Sequence, residues 1–244
     1  MTFANSQILV ELFPGLQTDD ASRDASDRVF AECLAEAAQE LQLTLSLNGY
    51  PLENLTTIQA AILECANSLL GWEKYFLRRM IEDSSYTKFL TGQKAFLHLP
   101  LNLIQGRQKY MQPVFDGTLT QIVVPQFNGQ SILDLGLFGG YAGNWNPQAV
   151  SPLPTVAAVQ RWLNWGVAIV NGLAQYNGYP LTNINEYQAV SYRTIIFNFA
   201  AAILTQSLAQ RQKTELESVA TERAKNAVEL IENFGQLSYD PRFI

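Results

Sequence analysis

The sequence predicts a mainly α-helical protein made of two tandem, related helical-bundle lobes with a short β-containing insert between them. Three observations lead there. The turn Asn48-Gly49-Tyr50-Pro51-Leu52 returns 129 positions later as Asn177-Gly178-Tyr179-Pro180-Leu181. The same offset pairs Asn54 with Asn183, Gln59-Ala60 with Gln188-Ala189, Ala95 with Ala224, Leu101 with Leu230 and Gly106 with Gly235. Several matches in one ungapped register point to an internal duplication, and a repeat of this size sets the architecture before any single element does. Around both turns apolar residues recur every three or four positions, the helical period. Between the two blocks, residues 113–154 carry only Asp116 and Asp134 as charges and are rich in glycine, asparagine and proline. The expected organisation is therefore lobe 1 over 1–109, an insert over 110–154, lobe 2 over 155–235 and a C-terminal tail over 236–244.

The first helix is expected to start at a cap among Asp19, Asp20 and Ser22 and to bury Phe30, Cys33, Leu34, Ala37, Leu41 and Leu45 on one face. Gly49 ends it, because glycine admits the left-handed conformation that closes helices, and Pro51 discourages continuation. The second helix carries Ile58, Ile62, Cys65, Leu69, Trp72 and Phe76 at alternating spacings of four and three. A third helical segment is expected from Ser84 or Ser85 toward Gly106, interrupted by Gly92 and Pro100. In the insert, Leu119 to Val124 reads as a strand closed by Pro125, with Ile132, Leu133, Leu135 and Leu137 as its partner. Residues 139–146 read as an adaptable contact loop, since they lack the Gly-Lys-Ser/Thr ending of a phosphate loop. Lobe 2 repeats the plan, with Val156, Val159, Leu163, Val167 and Val170 on one helix and a long helix after Asn183. A closing helix from Glu215 to Phe234 turns Val219, Leu230, Ile231 and Phe234 inward, and Gly235 stops it. At each turn, Gly49 and Gly178 terminate a helix, Tyr50 and Tyr179 cover the end of the bundle, and Pro51 and Pro180 set the exit direction.

A chain of 244 residues has room for two modest cores. Charged residues are only 16% of it, which leaves surface for burial against partners. The net charge of −6 offers a phosphate backbone no attraction and argues against nucleic-acid binding. The N-terminal residues 1–6 lack the charged start and apolar core of a secretion signal. The most apolar stretch, Thr194 to Gln210, is shorter than a bilayer-spanning helix and contains Asn198, so it is expected as a buried core helix.

Candidate chemistry is sparse. Cys33 and Cys65, the only cysteines, fall on apolar stripes and are expected as buried free thiols, a disulfide between the two helices being the alternative. His98, the sole histidine, sits between two leucines and is expected to be structural. Glu32, Glu36 and Glu40 at four-residue spacing read as a solvated helix face; a di-metal bundle would pair such carboxylates with Glu-x-x-His. Arg78-Arg79 faces Ser207 and Leu208 in the repeat register, so no second pair completes an anion clamp. With no serine elbow, Cys-x-x-Cys pair or Walker loop, no catalytic residue, cofactor or metal is expected, and no enzyme activity.

Several features together resemble the Mu-like head-to-tail adaptor, or neck, proteins of tailed bacteriophages. They are the opening Ile8-Leu9-Val10-Glu11-Leu12-Phe13, Asp27-Arg28-Val29 leading into an alanine-rich helix, the Gly49-Tyr50-Pro51-Leu52 turn, the long helix through Cys65-Ala66-Asn67-Ser68-Leu69-Leu70, and the ending Leu103-Ile104-Gln105-Gly106. The likeness covers residues 8–106 and, more faintly, 156–235; the duplication and the insert depart from the single-unit family. The resemblance implies a structural virion protein assembled in the host cytoplasm into a homo-oligomeric ring, with the portal protein and other neck or tail proteins as partners. On that reading Tyr141, Trp145, Tyr239, Pro241 and Phe243 are the candidate assembly contacts. A monomeric helical module binding a peptide or small ligand in the cleft between the lobes is the competing expectation.

Overall fold

The computed structural model describes residues 20–82, 85–105, 108–143, 145–212 and 216–234. The helices are α1 (Asp20–Leu47), α2 (Thr57–Glu82), α3 (Ser85–Leu97), α4 (Leu99–Gln105), α5 (Gln108–Phe115), α6 (Leu135–Ala142), α7 (Val156–Tyr176), α8 (Glu186–Gln212) and α9 (Leu216–Glu232). A two-stranded antiparallel hairpin, β1 (Gln126–Phe127) and β2 (Gln130–Ser131), lies between α5 and α6. The protein is mainly helical with a short β-containing insert.

The two halves build their central turn from the same bonds. In unit 1, α1 and α2 form an antiparallel hairpin whose expected stripes, from Phe30 to Leu45 and from Ile58 to Phe76, are all buried. Gly49 adopts φ 70°, Tyr50 N donates to Leu45 O at 2.9 Å, and Asn48 Nδ2 donates to Thr44 O at 2.8 Å. In unit 2, between α7 and α8, Gly178 adopts φ 72°, Tyr179 N donates to Ala174 O at 2.8 Å, and Asn177 Nδ2 donates to Leu173 O at 2.7 Å. Asn54 and Asn183 both take the left-handed region, at φ 54° and 55°. The next helix then opens on a capping glutamine in each unit: Gln59 Oε1 accepts from Thr56 N at 2.9 Å, and Gln188 Oε1 from Asn185 N at 3.1 Å. Orphan carbonyls at the end of one helix and orphan N–H groups at the start of the next are thus satisfied twice by one device.

The units share one core. Its buried residues, from Phe30 to Phe234, form one cluster, and α2 packs against α7, α5 against α7, and α3 against α9. Gly92 does not interrupt α3. A Cβ there would stand 2.7 Å from Thr221 Cγ2, so the glycine is what lets α9 approach at the equivalent position of the other unit. Beside that crossing, buried Gln93 donates to Thr221 Oγ1 at 3.1 Å and accepts from the Gln206 amide. The expected irregularity falls at His98, between α3 and α4. Pro100 occupies the first turn of α4, where a missing N–H costs nothing.

The insert departs from expectation. Leu119 to Val124 forms no strand, because its pairing partner is a side chain: Val123 N donates to Asn171 Oδ1 at 2.7 Å and Asn171 Nδ2 donates to Val123 O at 2.8 Å. The hairpin forms just after it, around Asn128 and Gly129 at φ 50° and 73°, the backbone that a two-residue turn demands. Leu135 and Leu137 belong to α6 instead of a strand, because Asp134 Oδ1 accepts from Leu137 N at 2.8 Å and caps a helix. The expected contact loop accordingly begins inside α6. A Cβ on Gly139 would meet Trp145 O at 2.9 Å, so this glycine serves close packing. Ile231 in α9 and Phe234 just beyond it are buried as expected, whereas Val219 and Leu230 are only half-buried and Ala220, Ala224 and Ala227 supply the rest of the face. Asp19, Ser84, Gly106, Gly235 and the tail lie outside the described residues.

Two outcomes test this packing. Gly49→Ala and Gly178→Ala meet no atom within 4 Å. Each is expected to cost the backbone penalty alone, about 1–2 kcal/mol, and to lower the urea midpoint equally; neutral variants would contradict the turn geometry. Asn171→Leu strands the Val123 N–H and C=O and is expected to cost about 2 kcal/mol or more in the same titration.

Candidate functional site

The carboxylate ladder of α1 is a paired surface. Arg78 Nη1 lies 2.9 Å from Glu32 Oε2 while Arg78 Nη2 bonds Glu36, and Lys74 Nζ lies 2.9 Å from Glu40 Oε2. These charges fasten α2 along α1, and as solvent-exposed pairs they add little stability each. His98 Nε2 sits 2.5 Å from Glu73 Oε2, whose side chain is buried, which ties the α3–α4 junction to α2. Among the described residues no group of three or more His, Cys, Asp or Glu could hold a metal ion, and no helix is long and apolar enough to cross a membrane.

Cys33 and Cys65 are both free and buried, one on α1 and one on α2. Burial pushes the Cys33 thiol up to about 11, with Arg78 pulling the other way, and drives Cys65 well above its ordinary value. Neither carries the lowered pKa that makes a thiol a nucleophile.

The described surface carries an open groove of about 390 Å³ lined by Tyr141, Asn198, Asn226, Glu229, Leu230 and Asn233. It lies between α6 of the insert and α8 and α9 of unit 2, and the contact between the units is instead packed. Tyr141 is 41% exposed and rests on Phe197 with ring centroids 5.6 Å apart. Burial raises its pKa against the opposing pull of Arg223 and an Asn198 hydrogen bond. Arg223 lies 5.6 Å from the Tyr141 ring centroid, and its Nη2 donates to Ala142 O at 3.1 Å, where a cation complements the helix C-terminus. Amides, a phenol and one carboxylate make this a hydrogen-bonding surface.

Of the expected assembly contacts, Tyr141 is at the surface as required. Trp145 is not: it is 5% exposed, its indole Nε1 donates to Pro154 O at 2.7 Å, and its ring lies 5.9 Å from Phe138. A tryptophan in a glycine-rich run reads as exposed only until a carbonyl nearby takes its N–H. Tyr239, Pro241 and Phe243 lie outside the described residues. The turn tyrosines cover aromatic neighbours: Tyr50 stacks on Phe115 at 4.5 Å, and Tyr179 lies 6.1 Å from Phe234. Sequence reasoning passed over the exposed aliphatic residues of the α1–α2 hairpin, Leu43 and Leu47 on α1 and Leu77 and Ile81 on α2. Their signal was available, as pairs four residues apart that fall off the buried stripes.

Comparison with protein-family models, with curated proteins and with solved structures finds no match for this chain.

The folded protein holds both thiol protons through pH 9, where an unfolded chain begins to ionise them. Maleimide labelling of the native protein at pH 8 is therefore expected to modify neither cysteine on the timescale on which the denatured protein loses both. Rapid native labelling of either one would contradict the burial.

Proposed function

We propose that this protein is a structural subunit of a tailed-phage neck, a head-to-tail adaptor that joins the portal vertex to the tail within a ring, and that it acts by surface burial. Support comes from the residues of unit 1 that resemble the adaptor family and, above all, from where unit 1 leaves apolar side chains in solvent. Leu43 and Leu47, the latter 78% exposed, lie at the turn end of the α1–α2 hairpin. Leu77 and Ile81, the latter 89% exposed, lie at its opposite end. A head-to-tail ring needs two different patches on each subunit, one to meet the next copy and one to meet the last. Pairs of aliphatics separated by the length of a hairpin supply that arrangement, whereas single exposed leucines would need no explanation.

The groove on unit 2 favours a second reading, a helical module that takes a small polar ligand or peptide, with Asn198, Asn226 and Asn233 as hydrogen-bonding groups. Light scattering and particle imaging with a portal assembly present separate the two. The adaptor reading expects rings for the wild type, and loss of rings with unchanged far-UV circular dichroism for Leu47→Glu and for Ile81→Glu. A wild-type monomer that ignores the portal, or variants that assemble like the wild type, would overturn it.

A further inference from the structure

Asparagine followed by glycine is the pair most prone to lose its side-chain amide, because a residue without Cβ leaves its backbone nitrogen unhindered in reaching the asparagine Cγ. The chain carries four such pairs, Asn48-Gly49, Asn128-Gly129, Asn171-Gly172 and Asn177-Gly178. The sequence does not rank them; the folded structure does. Asn171 and Gly172 lie inside α7, where Asn171 is buried and its amide is spent on both backbone groups of Val123. At the two repeated turns both reacting groups are held. Gly49 N donates to Ser46 O at 3.1 Å and Gly178 N to Gln175 O at 3.2 Å, while Asn48 Nδ2 and Asn177 Nδ2 donate to Thr44 O and Leu173 O. Nitrogen and Cγ meet there only if the end of α1 or α7 unwinds.

Asn128-Gly129 is placed otherwise. The pair forms the tip of the β1–β2 hairpin, and both residues are exposed. Behind the tip the ladder is short, Phe127 opposite Gln130 and Gln126 opposite Ser131. So short a hairpin resists local opening weakly, and opening it disturbs no helix.

We propose that Asn128 is a site of spontaneous deamidation, selected from the four pairs by the fold. In the opened tip Gly129 N bonds to Asn128 Cγ, the Cγ–Nδ2 bond breaks, and ammonia leaves with the proton that Gly129 N gives up. Water then opens the cyclic imide. Cleavage between Gly129 N and Cγ gives aspartate at position 128; cleavage between Gly129 N and the main-chain carbonyl carbon gives isoaspartate, in which the backbone runs through the former side chain. Either product adds a carboxylate to an insert whose only charges over 113–154 are Asp116 and Asp134. Isoaspartate also lengthens the turn by one backbone carbon, which the two-residue geometry at Asn128 and Gly129 does not accommodate. The change reaches unit 2, because β1 is tied to the loop after the second repeated turn: Gln126 N donates to Leu181 O at 3.1 Å and Ile184 N donates to Gln126 O at 3.3 Å. The age of the molecule is thereby written into the contact between insert and unit 2. Ring formation has no part in this, so the proposal stands independently of the adaptor reading.

Peptide mapping by mass spectrometry of the full chain, aged in mildly alkaline buffer, tests it. Position 128 is expected to convert at least about tenfold faster than positions 48, 171 and 177, with both aspartate and isoaspartate as products. In denaturant the four positions are expected to convert at similar rates, since the fold no longer separates them. Asn128→Gln, whose longer side chain closes the ring far more slowly, is expected to remove the isoaspartate signal from the insert with unchanged far-UV circular dichroism. Equal native rates at all four positions, or faster conversion at 48, 171 or 177, would overturn the proposal. Acid formed at position 128 without isoaspartate would overturn it too, by excluding attack from Gly129 N.

Discussion

Burial of α7 on every side from Trp165 to Ala174 is the constraint on which the rest of the structure depends. Its counterpart α1 presents Glu36, Gln39, Glu40 and Leu43 outward, whereas the same register positions in α7 are Trp165, Ala168, Ile169 and Gly172, all buried. The opposite substitution marks the far side of unit 2. Leu69, Leu97, Pro100 and Ile104 are buried in unit 1, and their equivalents are Asn198, Asn226, Glu229 and Asn233, the residues of the groove. Duplicated helical hairpins with identical faces would stack without end, and polar outer faces on the terminal units are how repeat proteins stop. Among the described residues the shared apolar surface lies between the two units, and the polar positions face away from it.

That asymmetry explains what the sequence could and could not disclose. The asparagine caps and the glutamines that open the next helices emerged only with the structure, whereas both turns were legible in their glycines, whose positive φ ends a helix locally. The buried stripes of α1 and α2 were legible for the same reason. What escaped was whatever depended on a distant partner. Asn171 takes the place of a β-strand for Val123 from 48 residues away, and no local pattern announces an amide in that role. Gly92 read as an interruption of its helix and Gly139 as part of a contact loop, since a glycine that admits a neighbour resembles one that loosens the chain. Trp145 read as exposed for want of the Pro154 carbonyl. Of the candidate site, only Tyr141 could be anticipated; the groove appears when the repeat register is compared with burial, position against position.

The same comparison bears on assembly. The polar outer faces argue that further copies do not join by extending the repeat, so contacts between subunits fall to side chains outside it. Leu47, Leu77 and Ile81 answer that description, and Leu43 adds an apolar side chain to the otherwise polar outward face of α1. They face away from the core, their counterparts in unit 2 differ in kind, and burying each leucine or isoleucine fully against a neighbour is favourable by about 1.5–3 kcal/mol. Glu32, Glu36 and Glu40 on α1 do not compete with that role, because Arg78 and Lys74 already match them.

The central claim is that two copies of one hairpin fold as a single body around α7. Native-state hydrogen exchange followed through a denaturant series tests it most directly, because each cooperative unit reveals its own opening free energy. The slowest amides of α2, α7 and α8 are predicted to merge onto one unfolding isotherm. Unit 2 opening along its own isotherm while unit 1 stays protected would contradict the claim.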